Sequence, residues 1–285
     1  MKNVSIPNIL TIAGIDPSGG AGVLADIKAM SALGAYGTGV VAALTAQNTQ
    51  AVTAVFPVPA DFVARQIDTL FADVRIDAVK IGMLGEQSVI RIVAERLSHW
   101  KPVHLVLDPV MVAKSGDHLL ERSAIHELRD NLLPMATMLT PNLPEAGVLL
   151  GSSQADNVKE MRRAAEKLRR LLSDSGERWI FLKGGHLPGN DTIDVLYNGD
   201  RLIELPGRRI NTPNTHGTGC TLSAALAALL PQVNDVPQAA HRAKEYLVAA
   251  IARSGELDVG SGHGPVQHFH QWWPPQDQRK PSQQQ

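Results

Sequence analysis

Short apolar runs alternate along the chain with longer stretches of mixed polarity. The runs that predict strands are Ile9–Ala13, Val40–Leu44, Ala78–Ile81, Val103–Leu107, Thr137–Leu139 and Trp179–Leu182. They are continuously apolar, which is typical of strands that are covered on both faces. Between Val158 and Ser173 the apolar side chains instead recur at helical spacing, and the other face carries the basic residues of a solvated helix surface.

This order of elements predicts the fold class. Strands that alternate with helices form βαβ units, which build a parallel sheet with helices on both faces. Asp194–Tyr197 and Arg201–Leu205 break the rhythm, because they flank Asn198-Gly199, a strong hairpin signal. We therefore expect an α/β protein with three α/β/α layers and a mostly parallel sheet with a small antiparallel hairpin at one edge. It should form a single domain over residues 1–273, followed by a disordered polar tail over 274–285.

Composition and charge narrow the class of protein. Among 285 residues, 27 Lys and Arg balance 28 Asp and Glu, which argues against a nucleic-acid partner bound through phosphate neutralisation and against a polybasic membrane binder. No apolar run approaches the roughly 20 residues that a membrane span needs. The run after Lys2 is interrupted by Thr11 and Gly14 and predicts a strand rather than a signal peptide. One cysteine fits a reducing compartment, so we expect a cytoplasmic protein.

The first glycine cluster, Gly14–Gly22, directly follows the first predicted strand and contains four glycines. Ligands of α/β sheets bind beyond the carboxyl ends of strands, where glycine lets the backbone approach closely and a following helix offers free N–H groups. A plain strand-to-helix turn is the alternative. The chain contains no Walker-type phosphate loop. The match of Gly37–Ala42 to a dinucleotide pattern precedes a strand, so we reject it.

The second cluster, Asn214–Thr221, precedes a predicted helix over Leu222–Leu230 that is rich in small residues. Gly217, Gly219 and the first turn of this helix would present unpaired N–H groups at the positive end of a helix dipole, an anion hole suited to phosphate. Cys220 would lie in that turn, where a thiol pKa is typically lowered. A buried structural cysteine is the alternative.

Charged residues follow three further predicted strands. Asp108 and Glu145 place carboxylates just past strand ends, and Lys183 places a cation in the same position. Carboxylate oxygens suit Mg²⁺, whose remaining ligands are water and substrate phosphates. Together these residues predict a site for a polyphosphate with its metal. The C-terminal histidines His263, His268 and His270 lack a further metal ligand nearby, and we assign them surface or packing roles.

Several segments together carry a family resemblance. In chain order they are Gly14–Gly22, Ala46–Thr49, Lys80–Leu84, Leu107–Gly116, Thr140–Ala146, Leu182–His186 and Asn214–Thr221. The chain resembles the hydroxymethylpyrimidine/phosphomethylpyrimidine kinases of thiamine biosynthesis, within the ribokinase-like superfamily, from about residue 8 to Trp273. The resemblance implies a homodimer that uses ATP and Mg²⁺ to phosphorylate the hydroxymethyl group of 4-amino-5-hydroxymethyl-2-methylpyrimidine. A second phosphorylation would then give the diphosphate.

The resemblance also implies roles for individual residues. The pyrimidine pocket would be lined by Gly14, Asp26, Gln47, Met83 and Val110, with Gln47 reading the edge of the base. Asp108 and Glu145 would serve Mg²⁺, and Lys183 the ATP phosphates. The nucleotide loop would contribute Thr215, His216 and Thr218, with Gly217 and Gly219 in the anion hole. Many sugar kinases of the superfamily carry an aspartate base where this chain has Cys220, so the identity of the proton acceptor stays open.

Two other functions compete with this interpretation. A pyridoxine or pyridoxal kinase performs the same chemistry on a similar ring that bears a hydroxymethyl group, and the sequence leaves dual use open. A catalytically silent sensor of a vitamin precursor is the other alternative. The presence of Asp108, Glu145, Lys183 and Cys220 together argues against a silent protein. Closure of the Lys114–Gly116 loop as a lid is also left open.

Overall fold

A nine-stranded sheet organises the computed structural model, which describes residues 5–111, 122–233 and 235–274. The strands are β1 (Asn8–Ile15), β2 (Tyr36–Gln47), β3 (Val52–Pro57), β4 (Ala78–Ile81), β5 (Leu105–Leu107), β6 (Met138–Leu139), β7 (Trp179–Leu182), β8 (Asp191–Tyr197) and β9 (Leu202–Arg208). The α-helices are α1 (Gly22–Ala32), α2 (Ala60–Asp73), α3 (Gln87–Trp100), α4 (Arg122–Glu127), α5 (Leu143–Leu150), α6 (Val158–Arg169), α7 (Thr218–Leu229) and α8 (Val236–Ala252). Within the described residues, no helix combines the length and apolar character that crossing a membrane requires.

The strand order is β3-β2-β1-β4-β5-β6-β7-β8-β9. The strands from β2 to β7 in this order pair in parallel, as predicted. The predicted hairpin is confirmed, because β8 and β9 pair antiparallel with Tyr197 opposite Leu202. At the other edge, β3 pairs antiparallel with β2, and this further antiparallel strand was not predicted. The turn before β3 is held by Asn48, whose Oδ1 accepts hydrogen bonds from the N–H groups of Gln50 and Ala51.

Helices cover both faces of the sheet, because alternate side chains of each strand point to opposite sides. On β1, Leu10 and Ile12 pack into a core that includes side chains of α2, α3, α5 and α6. Ile9 and, on β7, Trp179 and Phe181 belong to a second core shared with α1, α7 and α8. The predicted three-layer α/β/α architecture is therefore confirmed. The predicted tail beyond Pro274 and the Lys114–Gly116 loop lie outside the described residues.

The bounds of two helices differ from those predicted, and one of these helices positions the site. The helix α6 ends at Arg169, before the predicted Ser173, and its N terminus is capped by the Asn157 side chain. The helix α7 begins at Thr218, four residues before the predicted start at Leu222, because Gly217 adopts φ +76° and turns the chain into the helix. Gly219 and Cys220 therefore belong to the first turn of α7, as the predicted anion hole requires.

Candidate active site

A cleft of about 490 Å³ lies at the carboxyl ends of the parallel strands, bordered by the loops after β1, β4, β5, β6 and β7 and by the start of α7. It brings together nearly all of the residues predicted from the sequence. Those that line it are Gly14, Gln47, Met83, Asp108, Val110, Glu145, Lys183, Thr215, His216, Gly217, Thr218, Gly219 and Cys220. Residues that are distant in the chain thus form one continuous surface.

Asp26 is the exception and corrects the expectation that it lines the pyrimidine pocket. Its side chain is fully buried, because α1 packs it against β1 and β4. There its Oδ2 accepts hydrogen bonds from Thr11 Oγ1 at 2.6 Å and from Lys80 Nζ at 2.7 Å. Asp26 therefore acts on the cleft through Lys80, which borders the cleft from β4.

Lys80 is a site residue that the sequence reasoning missed. A lysine within a continuously apolar strand needs a buried partner of opposite charge, and that is the signal by which it could have been found. Burial alone would lower the pKa of Lys80, but the nearby acidic groups, with Asp26 foremost, outweigh burial and raise that pKa. The ammonium therefore stays charged at the floor of the cleft.

An ion pair marks one end of the cleft. Lys183 Nζ lies 2.9 Å from Asp108 Oδ1 and 3.9 Å from Glu145 Oε2. Asp108 also accepts hydrogen bonds from Thr140 Oγ1 at 3.0 Å and from Ser223 Oγ at 3.2 Å. Burial opposes ionisation of Asp108, but the charge of Lys183 outweighs it and holds the pKa of Asp108 below its usual value. This end carries a fixed carboxylate and a fixed cation.

Glu145 caps a helix and also lines the cleft. It forms a capping box at the start of α5, donating its N–H to Asn142 Oδ1 and accepting the Asn142 N–H at 2.7 Å. Burial raises the pKa of Glu145 to about 7, with the charge of Lys183 opposing this shift. Glu145 therefore caps α5 and at the same time borders the cleft.

The donor set can be tested against Mg²⁺. The described residues contain no group of three or more His, Cys, Asp or Glu side chains arranged to hold a metal. Asp108 and Glu145 supply two carboxylates on one wall, both within 4 Å of Lys183. Mg²⁺ is commonly held by one or two carboxylates and completed by substrate phosphates and water. The residues thus fit an Mg²⁺ ion that arrives with a polyphosphate, rather than an ion caged by protein alone.

The first turn of α7 lies beside this ion pair. A Cβ atom built on Gly219 would lie 3.3 Å from Lys183 Nζ and 3.6 Å from Asp108 Oδ2. The free N–H groups of a helix N terminus favour anions, so the turn and Lys183 offer positive charge to the same point. This end of the cleft therefore suits a phosphate group.

The pKa of the Cys220 thiol is raised rather than lowered, so the expectation of an activated thiol was wrong. Its pKa was predicted to be lowered by the helix N terminus, but burial raises the pKa of the thiol to about 11. Lys80 and a hydrogen bond from Gly22 oppose this shift, while the carboxylates of Asp26 and Asp108 add to it. The loss of solvent around the sulfur outweighs the favourable charges, so Cys220 is a neutral thiol near pH 7.

The opposite end of the cleft suits a flat ring. Gln47, in the last position of β2, lines the cleft, and its Oε1 accepts a hydrogen bond from Thr45 Oγ1 at 3.1 Å. Met83 and Val110 add apolar surface there. Gly14 donates its N–H to the Met83 carbonyl, and a Cβ on Gly14 would fall 2.5 Å from Met83 Cε. A side chain at Gly14 would therefore require the end of the Met83 side chain to move.

The histidines divide between the cleft and the core. His216 lines the cleft, but its imidazole pairs with Asp16 at 2.7 Å, a partner that the sequence reasoning did not assign. His263 is exposed at the rim of the cleft. His268 and His270 are buried, and His268 Nε2 bonds to Thr221 Oγ1 at 3.0 Å, so their predicted packing role is confirmed.

Comparisons with known proteins agree with this geometry. The family model described as phosphomethylpyrimidine kinase matches residues 16–267. The chain is 51% identical over 266 residues to the hydroxymethylpyrimidine/phosphomethylpyrimidine kinase of Escherichia coli strain K12, which covers 93% of this chain and 98% of the relative.

Solved structures share the fold. The ADP complex of pyridoxal kinase from Bacillus subtilis matches with a TM-score of 0.84 and 34% identity, over 94% of this chain and 99% of the other. Phosphomethylpyrimidine kinase from Clostridium difficile 630 matches with a TM-score of 0.76 and 38% identity, over 86% of this chain and 99% of the other. The resemblance carried by the glycine loops and charged strand ends is confirmed, and the chain belongs to the phosphomethylpyrimidine kinase family, on a ribokinase-like fold.

Proposed function

We propose that the protein transfers the γ-phosphoryl group of ATP to the hydroxymethyl oxygen of 4-amino-5-hydroxymethyl-2-methylpyrimidine. It then phosphorylates the resulting monophosphate to the diphosphate that thiamine biosynthesis uses. The observation that carries this proposal is one cleft whose Gln47 end suits an aminopyrimidine and whose Lys183–Asp108 end suits a polyphosphate. The 51% identity to a bifunctional kinase named for both reactions supports it.

The ring end would orient the acceptor alcohol. A glutamine amide both donates and accepts hydrogen bonds, which matches an exocyclic amino group beside a ring nitrogen. Met83 and Val110 would cover the ring faces and exclude water. Holding the alcohol near the phosphate end converts a bimolecular reaction into one of positioned groups, a large part of what phosphoryl transfer requires.

The phosphate end would neutralise the negative charge of the transferred phosphoryl group. Lys183 and the N–H groups at the start of α7 would hold the transferred phosphoryl group, and Asp108 and Glu145 would hold Mg²⁺. When bound, Mg²⁺ supplies further charge neutralisation to the phosphate oxygens. The new bond joins the alcohol oxygen to the γ-phosphorus, the bond between that phosphorus and the ADP oxygen breaks, and the hydroxyl proton is released to water. Because Cys220 is a neutral thiol near pH 7, the anion hole should contribute more than removal of the proton by sulfur.

A pyridoxine or pyridoxal kinase is the second candidate. It is favoured by the TM-score of 0.84 to the pyridoxal kinase of Bacillus subtilis, at 34% identity. The ring of that substrate also carries a hydroxymethyl group, so the phosphate end would serve both. The amino group next to the ring nitrogen is what distinguishes the pyrimidine, and Gln47 is the residue placed to read it.

A phosphate-transfer assay tests the proposed function. With Mg²⁺-ATP, the aminopyrimidine alcohol should give a higher kcat/KM than pyridoxine or pyridoxal, and Gln47→Leu should weaken pyrimidine binding by about 1–3 kcal/mol. ATP affinity should stay unchanged, and Gln154→Leu, in an exposed loop, is the matched control. Greater turnover of pyridoxal would favour the second candidate. Unchanged pyrimidine affinity in Gln47→Leu would show that the pocket is wrongly assigned.

We also propose a homodimer of a single-domain chain spanning residues 1–273, in the cytoplasm. Leu44 and Phe56 support the dimer, because they lie directly opposite each other on β2 and β3 and both are exposed. Exposed apolar pairs at a sheet edge are typical of protein interfaces. Sedimentation should give a dimer that Phe56→Lys dissociates. A free cysteine supports a reducing compartment, which cell fractionation would test.

A further inference from the structure

A buried hydrogen bond joins the two glycine-rich loops of the cleft. Asp16 lies in the loop between β1 and α1, and His216 lies in the segment that leads into α7, 200 residues later in the chain. His216 Nε2 is 2.7 Å from Asp16 Oδ2, and both residues are buried. The resemblance places His216 in the nucleotide loop, but the reaction proposed above assigns no step to either side chain.

Asp16 is fully used as an acceptor. Its Oδ1 accepts from the N–H and Oγ of Ser18 at 2.9 and 2.7 Å, and its Oδ2 accepts from the N–H of Ala21 at 2.9 Å as well as from His216. Burial alone would raise the pKa of Asp16, but the hydrogen bonds from His216 and Ser18 outweigh it and hold that pKa below its usual value. Asp16 is therefore a carboxylate, and His216 Nε2 carries the hydrogen of a charge-assisted bond.

The backbones of the two loops are also interlocked. A Cβ atom built on Gly20 would lie 2.2 Å from His216 Cδ2, inside the imidazole ring's contact distance. A Cβ atom on Gly217 would lie 1.7 Å from the Gly20 carbonyl oxygen. Any side chain at either glycine would therefore separate the loops. The Asp16–His216 bond lies at the point where they touch.

Each loop serves a different end of the cleft. The Asp16 loop begins at Gly14, in the ring end, and the His216 segment continues into Gly217, Gly219 and Cys220, in the phosphate end. We propose that the Asp16–His216 pair is a positioning clamp that fixes the phosphate-binding turn of α7 relative to the pyrimidine-binding loop. This inference rests on the proposed function, because it assigns those two ends to alcohol and phosphate.

The clamp has a distinct kinetic signature. Without it, Gln47 and Lys183 keep their own contacts, so each ligand still binds, but the alcohol and the phosphoryl group are no longer held in line. His216→Ala should lower kcat about 10- to 100-fold, the scale expected when reacting groups are misplaced by about 1 Å. The dissociation constants of the pyrimidine and of ADP, measured separately, should change far less than kcat.

The test uses the full chain and a set of matched variants. His216→Ala removes the bond and Asp16→Asn weakens it, so the double variant should lose less kcat than the two single losses multiplied together, because both variants act on one interaction. His216→Gln retains an N–H donor and should restore part of kcat. His104→Ala is the control, since His104 precedes β5 at the opposite end of the sheet. Additive losses and no rescue by glutamine would overturn the clamp.

Amide hydrogen exchange gives a readout that needs no substrate. In His216→Ala, the Ser18 and Ala21 amides, which donate to Asp16, should exchange faster than in the wild-type protein, while amides of β5 keep their rates. Unchanged exchange in residues 16–22 together with unchanged kcat would refute the clamp. If the wild-type protein fails to phosphorylate the aminopyrimidine but the exchange result holds, the proposed function fails and the clamp between the loops stands.

Discussion

Lys183 Nζ lies 2.9 Å from Asp108 Oδ1, so the cation after β7 is paired with the carboxylate after β5, 75 residues earlier. Asp108 is almost completely buried, and the Lys183 side chain is 15% exposed. In such surroundings charges interact more strongly than in water. Removing one partner therefore leaves the other uncompensated beside the place proposed for the phosphates.

The first prediction concerns the metal. Asp108→Asn removes one of the two carboxylates proposed to hold Mg²⁺, and it also frees Lys183 from its partner. The Mg²⁺ concentration that gives half-maximal turnover should rise by about 10- to 100-fold. Asp200→Asn, in the exposed turn between β8 and β9, should leave it unchanged. Full activity of Asp108→Asn at the wild-type Mg²⁺ requirement would remove Asp108 from the site.

The second prediction concerns pH. Since burial raises the pKa of Glu145 to about 7, its carboxyl is protonated at pH 6 and ionised at pH 8. Mg²⁺ binds only the ionised form, so the half-saturating Mg²⁺ concentration should fall about tenfold between pH 6 and pH 8. Glu145→Gln cannot ionise, and its profile should show only the titration of ATP, which both proteins share. Identical profiles for the two proteins would contradict a metal role for Glu145.

The same shift has a consequence for stability. The pKa of Glu145 is raised in the folded state from a usual value of 4.5, so folding favours the protonated carboxyl. That contribution is fully present below about pH 4.5 and is lost as the pH rises through about 7. Comparing urea unfolding of wild type and Glu145→Gln between pH 5 and pH 8 isolates it. The free energy of unfolding of Glu145→Gln minus that of the wild type should rise with pH. A constant value would contradict the raised pKa of Glu145.

The third prediction separates the thiol from the anion hole. With a pKa of about 11, about one Cys220 thiol in 10⁴ is ionised at pH 7, so iodoacetamide should react more slowly with it than with free cysteine. Cys220 is the single cysteine of the chain, which makes the labelling unambiguous. The rate should rise about tenfold per pH unit up to about pH 11. A reaction faster than that of free cysteine at pH 7 would show that the Cys220 thiol is activated, as the sequence first suggested.

Mutant kinetics complete this comparison. Cys220→Ser should lower kcat less than about tenfold, because a neutral thiol contributes little as a base. Gly219→Val should lower kcat by about 10²–10³-fold, since its side chain would contact Lys183 and fill the anion hole. Gly255→Val, where a Cβ meets no neighbouring atom, is the control. A larger loss in Cys220→Ser than in Gly219→Val would make the sulfur the principal group.

The fourth prediction concerns the buried ion pair beneath the cleft. Asp26 and Lys80 are both fully buried, so Lys80→Met leaves an unpaired carboxylate and should lower the free energy of unfolding by about 3–5 kcal/mol. The double variant Asp26→Leu with Lys80→Met removes both charges and should recover most of that loss. Arg65→Met breaks the exposed Asp61–Arg65 pair and should cost less than about 1 kcal/mol. Denaturant unfolding measures all three variants, and a double variant no more stable than Lys80→Met would contradict the coupling between Asp26 and Lys80.

Patterns within short segments determined much of this protein. Continuous apolar runs identified the strands β1, β2, β4, β5, β6 and β7, and Asn198-Gly199 identified the β8–β9 hairpin. The edge strand β3 was not predicted, although its segment VTAVFP is largely apolar, because an apolar run does not show whether a strand is buried or lies exposed at a sheet edge. Local chemistry also located the glycine loops and the charged strand ends, since each is encoded by adjacent residues.

Only the tertiary structure decided which of these groups meet and what their surroundings do to them. Asp26 contacts Lys80 across 54 residues and Asp16 contacts His216 across 200, so no local pattern could have paired them. The pKa of Cys220 likewise depends on burial by residues far along the chain, which outweighs the local effect of the helix N terminus. Desolvation and charge pairing are set by neighbours in space, and the sequence specifies those neighbours only once the chain has folded.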